Sequence, residues 1–166
     1  TKGILLEKTT VPIEPYFSNH PGWAEQHADY FWSRLCQASK KLLSDSKYDI
    51  DSLAAVSVTA QRATALAVDK NGKPLRPTFS WLDQRQVTTQ PSLTMLESVV
   101  ASALGLKPAV RAFHQRAESN WVAQMEPQIW TKTNHYLLIS GYHVYRLTGH
   151  FRDAIASQVG YLPFDF

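Results

Sequence analysis

Several side chains with useful chemistry stand where this 166-residue sequence would end its strands. Gln61 and Arg62 follow an apolar, β-branched run at Leu53–Thr59, and Trp81, Asp83 and Arg85 close a second run that begins near Thr78. An amide, a guanidinium and an indole at one sheet edge combine hydrogen-bond donors, a fixed cationic fork and a flat apolar face. In open α/β sheets, ligands bind just outside the carboxyl ends of strands. Asp83 and Arg85 lie two apart in one turn, a spacing that also lets them pair with each other. Farther on, Asp153 stands in Thr148-Gly149-His150-Phe151-Arg152-Asp153-Ala154, on a loop after a predicted helix. There it either reaches a cleft as a general base or caps the segment that starts at Ala154.

The elements that must position these groups follow from pattern. Strands are predicted at Leu53–Thr59, Ala65–Asp69 and Thr78–Trp81, with Asn71-Gly72 supplying a tight type I′ hairpin turn. Ile4-Leu5-Leu6-Glu7-Lys8 reads as a short alternating strand, the second half of a hairpin whose first half is absent. Pro12, Pro15, Pro21 and Gly22 make Val11–Trp23 an extended loop. Apolar residues at Phe31, Trp32, Leu35, Cys36, Ala38, Leu42 and Leu43 predict a helix over His27–Leu43, with Asp29 in its first turn and Lys40 and Lys41 in its last. A second helix opens at Pro91-Ser92 and stops at Gly105. A third covers Glu118–Met125, with Trp121 and Trp130 expected in the core. Tyr136–Ile139 reads as a strand, and a short helix after Gly141 ends at Gly149.

Composition narrows the function. Hydrophobic content of 44% with 19% charged residues fits an ordinary globular domain rather than a disordered chain. The net charge of +3 is scattered, without the basic face that nucleic-acid binders present. No apolar run reaches the ~20 residues that span a bilayer, and the start lacks the shape of a secretory signal. The single cysteine, Cys36, excludes an internal disulfide and a cysteine-based zinc cage, so a reducing cytoplasm is the simplest home. The six histidines (20, 27, 114, 135, 143 and 150) show no H-x-x-x-H or H-E-x-x-H spacing, and no metal site is expected from them. There is no G-x-G-x-x-G and no Walker motif.

Five stretches, in order over nearly the whole chain, resemble the N-terminal domain of the FGGY family of carbohydrate kinases, the glycerol kinase and xylulokinase group. They are Pro21-Gly22-Trp23-Ala24-Glu25-Gln26, Thr59-Ala60-Gln61-Arg62-Ala63-Thr64, the hairpin with Lys73-Pro74-Leu75, and Trp81-Leu82-Asp83-Gln84-Arg85. The fifth runs from Tyr145-Arg146-Leu147-Thr148-Gly149 through Asp153 to Tyr161-Leu162-Pro163-Phe164-Asp165. The resemblance implies an α/β fold with the ribonuclease-H-like core shared with actin and hexokinase, a mixed sheet with flanking helices. Residues 1–166 would be part of the N-terminal, sugar-binding lobe, lacking the first phosphate-binding hairpin strand and the C-terminal nucleotide lobe.

The resemblance further implies ATP-dependent phosphorylation of a sugar or polyol hydroxyl. Asp153 takes the catalytic-base position, Gln61, Arg62, Trp81 and Asp83 fall in the substrate pocket, and Asp165 is structural. Asp153 precedes the Ala156-Ser157 pair by three positions where the family has four, and Ala63 stands where glycerol kinases carry an acid and xylulokinases a histidine. One polar contact is therefore missing, which suits a larger or less oxygenated substrate. ATP and Mg2+ are implied by the family alone, with no binding residue for either in this chain. A homodimer is one assembly open to it. The competing expectations are a truncated or degenerate homologue that binds a polyol or a partner without catalysis, and an interaction module.

Overall fold

The computed structural model describes residues 3–45, 47, 49–89 and 94–154. The predicted helix start at Pro91-Ser92 and the motif segment from Ala156 to Asp165 lie outside the described residues.

Among the described residues four strands form one sheet in the order β1-β3-β2-β4: β1 is Glu25–Gln26, β2 Ala65–Val68, β3 Thr78–Phe79 and β4 His135–Leu138. Every pairing is antiparallel, with Glu25 opposite Phe79, Ala65 opposite both Phe79 and Leu138, and Val68 opposite His135. β2 is buried throughout, and its alternation divides the core. Leu66 and Val68 pack with Ala28, Ile139 and Tyr142, and with Phe31 and Trp32 at the margin; Phe79, Val87, Trp121 and Val122 form a second cluster.

Among the described residues six helices accompany the sheet: α1 Ala28–Asp45, α2 Met95–Ala103, α3 Lys107–Arg116, α4 Glu118–Met125, α5 Pro127–Trp130 and α6 Ile139–Thr148. α2 ends in a glycine cap of the Schellman type: Leu106 N–H donates to Ala101 O and Gly105 N–H to Ser102 O, with Gly105 at φ +68°. α6 is tied to α1 through Asp29, whose carboxylate accepts from the Tyr142 hydroxyl and the Arg146 guanidinium. Among the described residues no helix is long and apolar enough to cross a membrane.

Several expectations are corrected. Leu53–Thr59 is not a strand: it runs on without sheet pairing after a single 3-10 turn at Ile50–Ser52, and Leu53 and Val56 stay exposed. Strand propensity expresses ladder pairing and half-burial, and among the described residues neither this run nor Ile4–Leu6 finds a pairing strand. The described sheet is accordingly antiparallel rather than mixed. The Asn71-Gly72 turn is not type I′, since only Gly72 has positive φ. The Asp69 carboxylate accepts from Asn71 N–H and Lys73 N–H and widens the loop, while the Tyr145 hydroxyl donates to Asn71 O.

α1 continues to Asp45, so Lys40 and Lys41 precede its last turn. β1 and α3 were not predicted: β1 has only two residues, and α3 has no buried residue to impose a clear apolar period. α6 begins two residues before Gly141 rather than after it. Trp121 is in the core as expected, but Trp130 is 41% exposed, because α5 is a single turn lying at the surface.

Candidate functional site

Antiparallel register gathers one end of the sheet. Residues just before β2, just after β3, just after β4 and just before β1 all emerge there, because Glu25, Phe79, Ala65 and Leu138 stand in one row across the sheet, each paired with the next. This end carries Gln61 and Arg62, Trp81 and Asp83, and the start of α6. Backbone bonds hold the loops in place: Ile139 N–H donates to Thr64 O, Ser80 N–H to Ala24 O and Gln84 N–H to Gly22 O.

Between two of these loops lies a cavity of about 230 Å³, lined by Val58, Thr59, Ala60, Gln61, Arg62, Leu138 and Ser140. Ser140 connects it to Asp153. The chain leaves α6 at Gly149, reverses at φ +75° and returns along the helix. Phe151 stacks on Tyr145 at 4.2 Å and on His135 at 4.0 Å, which pins the returning segment. Asp153 then reaches the first turn of α6, where its Oδ2 accepts from Ser140 Oγ at 2.7 Å and its Oδ1 from Ala154 N–H at 2.8 Å. The carboxylate is partly buried and stands at the positive end of the α6 dipole.

Arg62 is presented by an unusual backbone. The next residue, Ala63, has φ +58°, and among the described residues it is the one non-glycine with positive φ. That conformation costs roughly 1–2 kcal/mol for a residue with a Cβ. The buried strand that begins at Ala65 and the contact between Thr64 Oγ1 and Gln61 Oε1 hold the turn in that shape.

Trp81 and Asp83 share the sheet end but line no part of the cavity. Trp81 is 56% exposed. The Asp83 carboxylate is buried and engaged: it accepts from Ala24 N–H at 2.8 Å and from Arg85 Nη2 at 2.7 Å, the pairing its two-residue spacing allowed. Arg85 Nη2 also donates to Glu25 Oε1 at 2.8 Å, and Arg76 Nη2 reaches the same oxygen at 2.5 Å. Arg76 Nε completes the network with Glu126 at 2.7 Å. Phe79 and Trp121 face both guanidiniums, and Trp23 faces that of Arg85. Desolvation works against the charge on Arg85, but the hydrogen bonds it donates to Asp83 and Glu25, together with their negative charges, outweigh it, so its pKa is raised. This buried knot fixes the 80–85 turn that carries Trp81.

A larger, mostly apolar groove of about 480 Å³ shares Val58–Gln61 and is otherwise lined by Val11 and Ile13, by α1 residues, by Thr64, and by Ile139 and His143 of α6. His143 is buried, its Nδ1 has no hydrogen-bond partner among the described residues, and burial followed by the nearby Arg146 charge lowers its pKa.

Reasoning from the sequence missed Ser140, Gly141 and the role of Glu25. A Ser-Gly pair at a strand-to-helix junction gives no sign that a loop thirteen residues later folds back on it. Among the described residues no group of three or more His, Cys, Asp or Glu converges as a metal site.

Residues 1–161 match the FGGY family of carbohydrate kinases, N-terminal domain. A glycerol kinase of Rippkaea orientalis is 31% identical over 135 residues, 78% of this chain and 27% of that protein. A xylulose kinase of Staphylococcus epidermidis is 26% identical over 146 residues, 88% of this chain and 28% of that protein. Among solved structures, a xyloylose kinase from Brucella ovis superposes with a TM-score of 0.63 at 24% identity, over 81% of this chain and 28% of that one. The chain thus spans a little over a quarter of the length of the relatives it matches.

Proposed function

This chain belongs to the FGGY family of carbohydrate kinases, with their actin- and hexokinase-like α/β fold, and on that premise we propose that the intact parent phosphorylates a hydroxyl of a sugar or polyol. Residues 1–166 supply part of its N-terminal, sugar-binding lobe. The observation that carries the reading is the meeting of Asp153, through Ser140, with the cavity lined by Gln61 and Arg62.

In this reading the acceptor lies in that cavity. Arg62 and Gln61 hydrogen-bond its oxygens and fix its orientation. Asp153 takes the proton of the reacting hydroxyl as that oxygen attacks the terminal phosphorus of ATP, and ADP leaves with the electron pair of the broken P–O bond. ATP supplies the phosphoryl group. Magnesium is implied by the family, but the described residues offer no donor set for it, and no step is assigned to it here. Trp81 is exposed at the same sheet end, where lobe closure would bring its ring over the acceptor's carbon skeleton and exclude water. Asp83 instead braces the turn that carries Trp81, through Arg85 and Ala24 N–H. The relatives are named for glycerol and for xylulose, so neither name transfers as the substrate. The reducing cytoplasm expected from the single cysteine suits such an enzyme.

Asp153→Asn in the full-length parent tests the reading. It should lower kcat by at least ~10²-fold, the usual worth of a positioned base, while leaving the circular dichroism spectrum unchanged. Turnover near that of the parent would reassign the base, and a parent that itself transfers no phosphoryl group would favour a homologue that binds without catalysis.

A further inference from the structure

α2 carries its apolar face outward. Met95, Leu96, Val99, Val100 and Leu104 recur at spacings of three and four, the period that sets them in one stripe along a helix. Leu104 N–H donates to Val100 O and extends the last turn, and Leu106 follows in the glycine cap. All six side chains are between 48 and 87% exposed. Ala101, the one buried residue described in α2, lies on the opposite side of the helix, and Ser98 and Ser102 flank that side. A helix held by this fold alone would bury its leucines and valines and expose its serines, and α2 does the reverse.

The place of α2 in the fold leaves the stripe open. In this layer α4 enters the core, with Trp121 and Val122 beside Phe79 and Val87. α3 packs on α4 without a buried residue of its own, and α2 packs on α3. α1 and α6 cover the other face of the sheet. The cavity of the proposed reaction opens beside the start of α6, so closure of a second lobe over that cavity does not call on α2.

Six large apolar side chains so exposed present on the order of 600 Å², the upper end of what a monomer ordinarily leaves uncovered. Set against its own copy, the stripe removes about 1,200 Å² from water, the size at which specific interfaces begin. From Met95 to Leu106 the sequence holds one charged residue, Glu97, so the surface offers little to a partner chosen by charge. Rows of apolar residues four apart are self-complementary instead, because the ridges of one helix enter the grooves of an identical helix across a two-fold axis. We infer that the α2 stripe is the interface with a second copy of this chain, an isologous dimer in which α2 packs against α2 of its copy. The inference holds whichever acceptor the enzyme takes.

Sedimentation of the full-length parent tests it. The parent should be a dimer at ~10 µM, within the range that interfaces of this size sustain, and added salt should not loosen it, because no ion pair carries it. Leu96→Asp and Val100→Asp should each raise the dissociation constant at least ~100-fold, since the two-fold buries the new charge twice, with the circular dichroism spectrum unchanged. Val99→Cys, near the middle of the stripe, should join two copies by a disulfide on mild oxidation, a link absent from the unsubstituted parent. That link decides the matter if the aspartate variants fail to fold. A parent that is monomeric at this concentration, a dimer that survives both aspartates, or a dimer that Val99→Cys does not link refutes the interface. A monomeric parent whose Tm falls on Leu96→Asp overturns it too and assigns the stripe to another part of the parent's own chain.

Discussion

Replacing Glu25 by glutamine should be among the more damaging single changes in this fold, although Glu25 touches neither cavity. Its Oε1 accepts from two guanidiniums, Arg76 Nη2 at 2.5 Å and Arg85 Nη2 at 2.8 Å, and all three side chains are at most 5% exposed. Glutamine keeps the shape and one acceptor oxygen but removes the charge, leaving two buried cations to share Asp83 and Glu126. Breaking a buried ion pair by removing one partner costs about 3–5 kcal/mol, and the residual counter-charges place this case near 3 kcal/mol. For a chain of this size that is a fall of roughly 6–12 °C in Tm. Trp23 and Trp121 face Arg85 at 4.0 and 4.7 Å, so their fluorescence reports directly on the knot during urea unfolding. The midpoint should fall and the native emission of these indoles should shift. A midpoint within about 1 kcal/mol of the original protein would refute the reasoning and show that the network contributes no more than exposed pairs do.

Two further outcomes follow from the same structure. The His143 pKa is lowered from its ordinary 6.5, so the folded chain keeps the ring neutral while the unfolded chain takes up a proton. Its contribution is therefore complete above pH 6.5 and is lost as pH falls through the lower folded value, with a slope of at most about 1.4 kcal/mol per pH unit. His143→Gln should flatten the stability profile between pH 7 and 5, as read by urea midpoints, and an unchanged slope would contradict this. Ala63→Gly should be neutral or stabilising by up to about 1 kcal/mol, since φ +58° is strained for alanine. A loss of the size usual for glycine in an ordinary position would show that the turn is not strained.

The sequence carried the local elements well where a single period dominated. α4 falls on Glu118–Met125 as read, the apolar spacing of α1 is correct to within two residues, and the positive-φ caps at Gly105 and Gly149 stand where helix-stop chemistry put them. Pattern failed where an element is set by its partners. Leu53–Thr59 has the composition of a strand but finds no ladder among the described residues, and β1 is two residues long and exists because Phe79 lies opposite Glu25. The candidate site was legible in part. Gln61, Arg62 and Asp153 could be named as candidates from residue type, motif and position, and the Asp83–Arg85 pair, which the structure forms, from spacing. Ser140, Gly141 and the left-handed Ala63 could not, because each depends on a close approach between segments distant in sequence or on a backbone angle that alanine gives no reason to expect.

The most direct test is a structure of the full-length parent with a polyol bound. The account predicts one acceptor hydroxyl within hydrogen-bond distance of Asp153, with Ser140 still bonded to that carboxylate and Arg62 on the acceptor's other oxygens. A polyol seated away from Asp153, or a carboxylate turned from the cavity that Gln61 and Arg62 line, would contradict it.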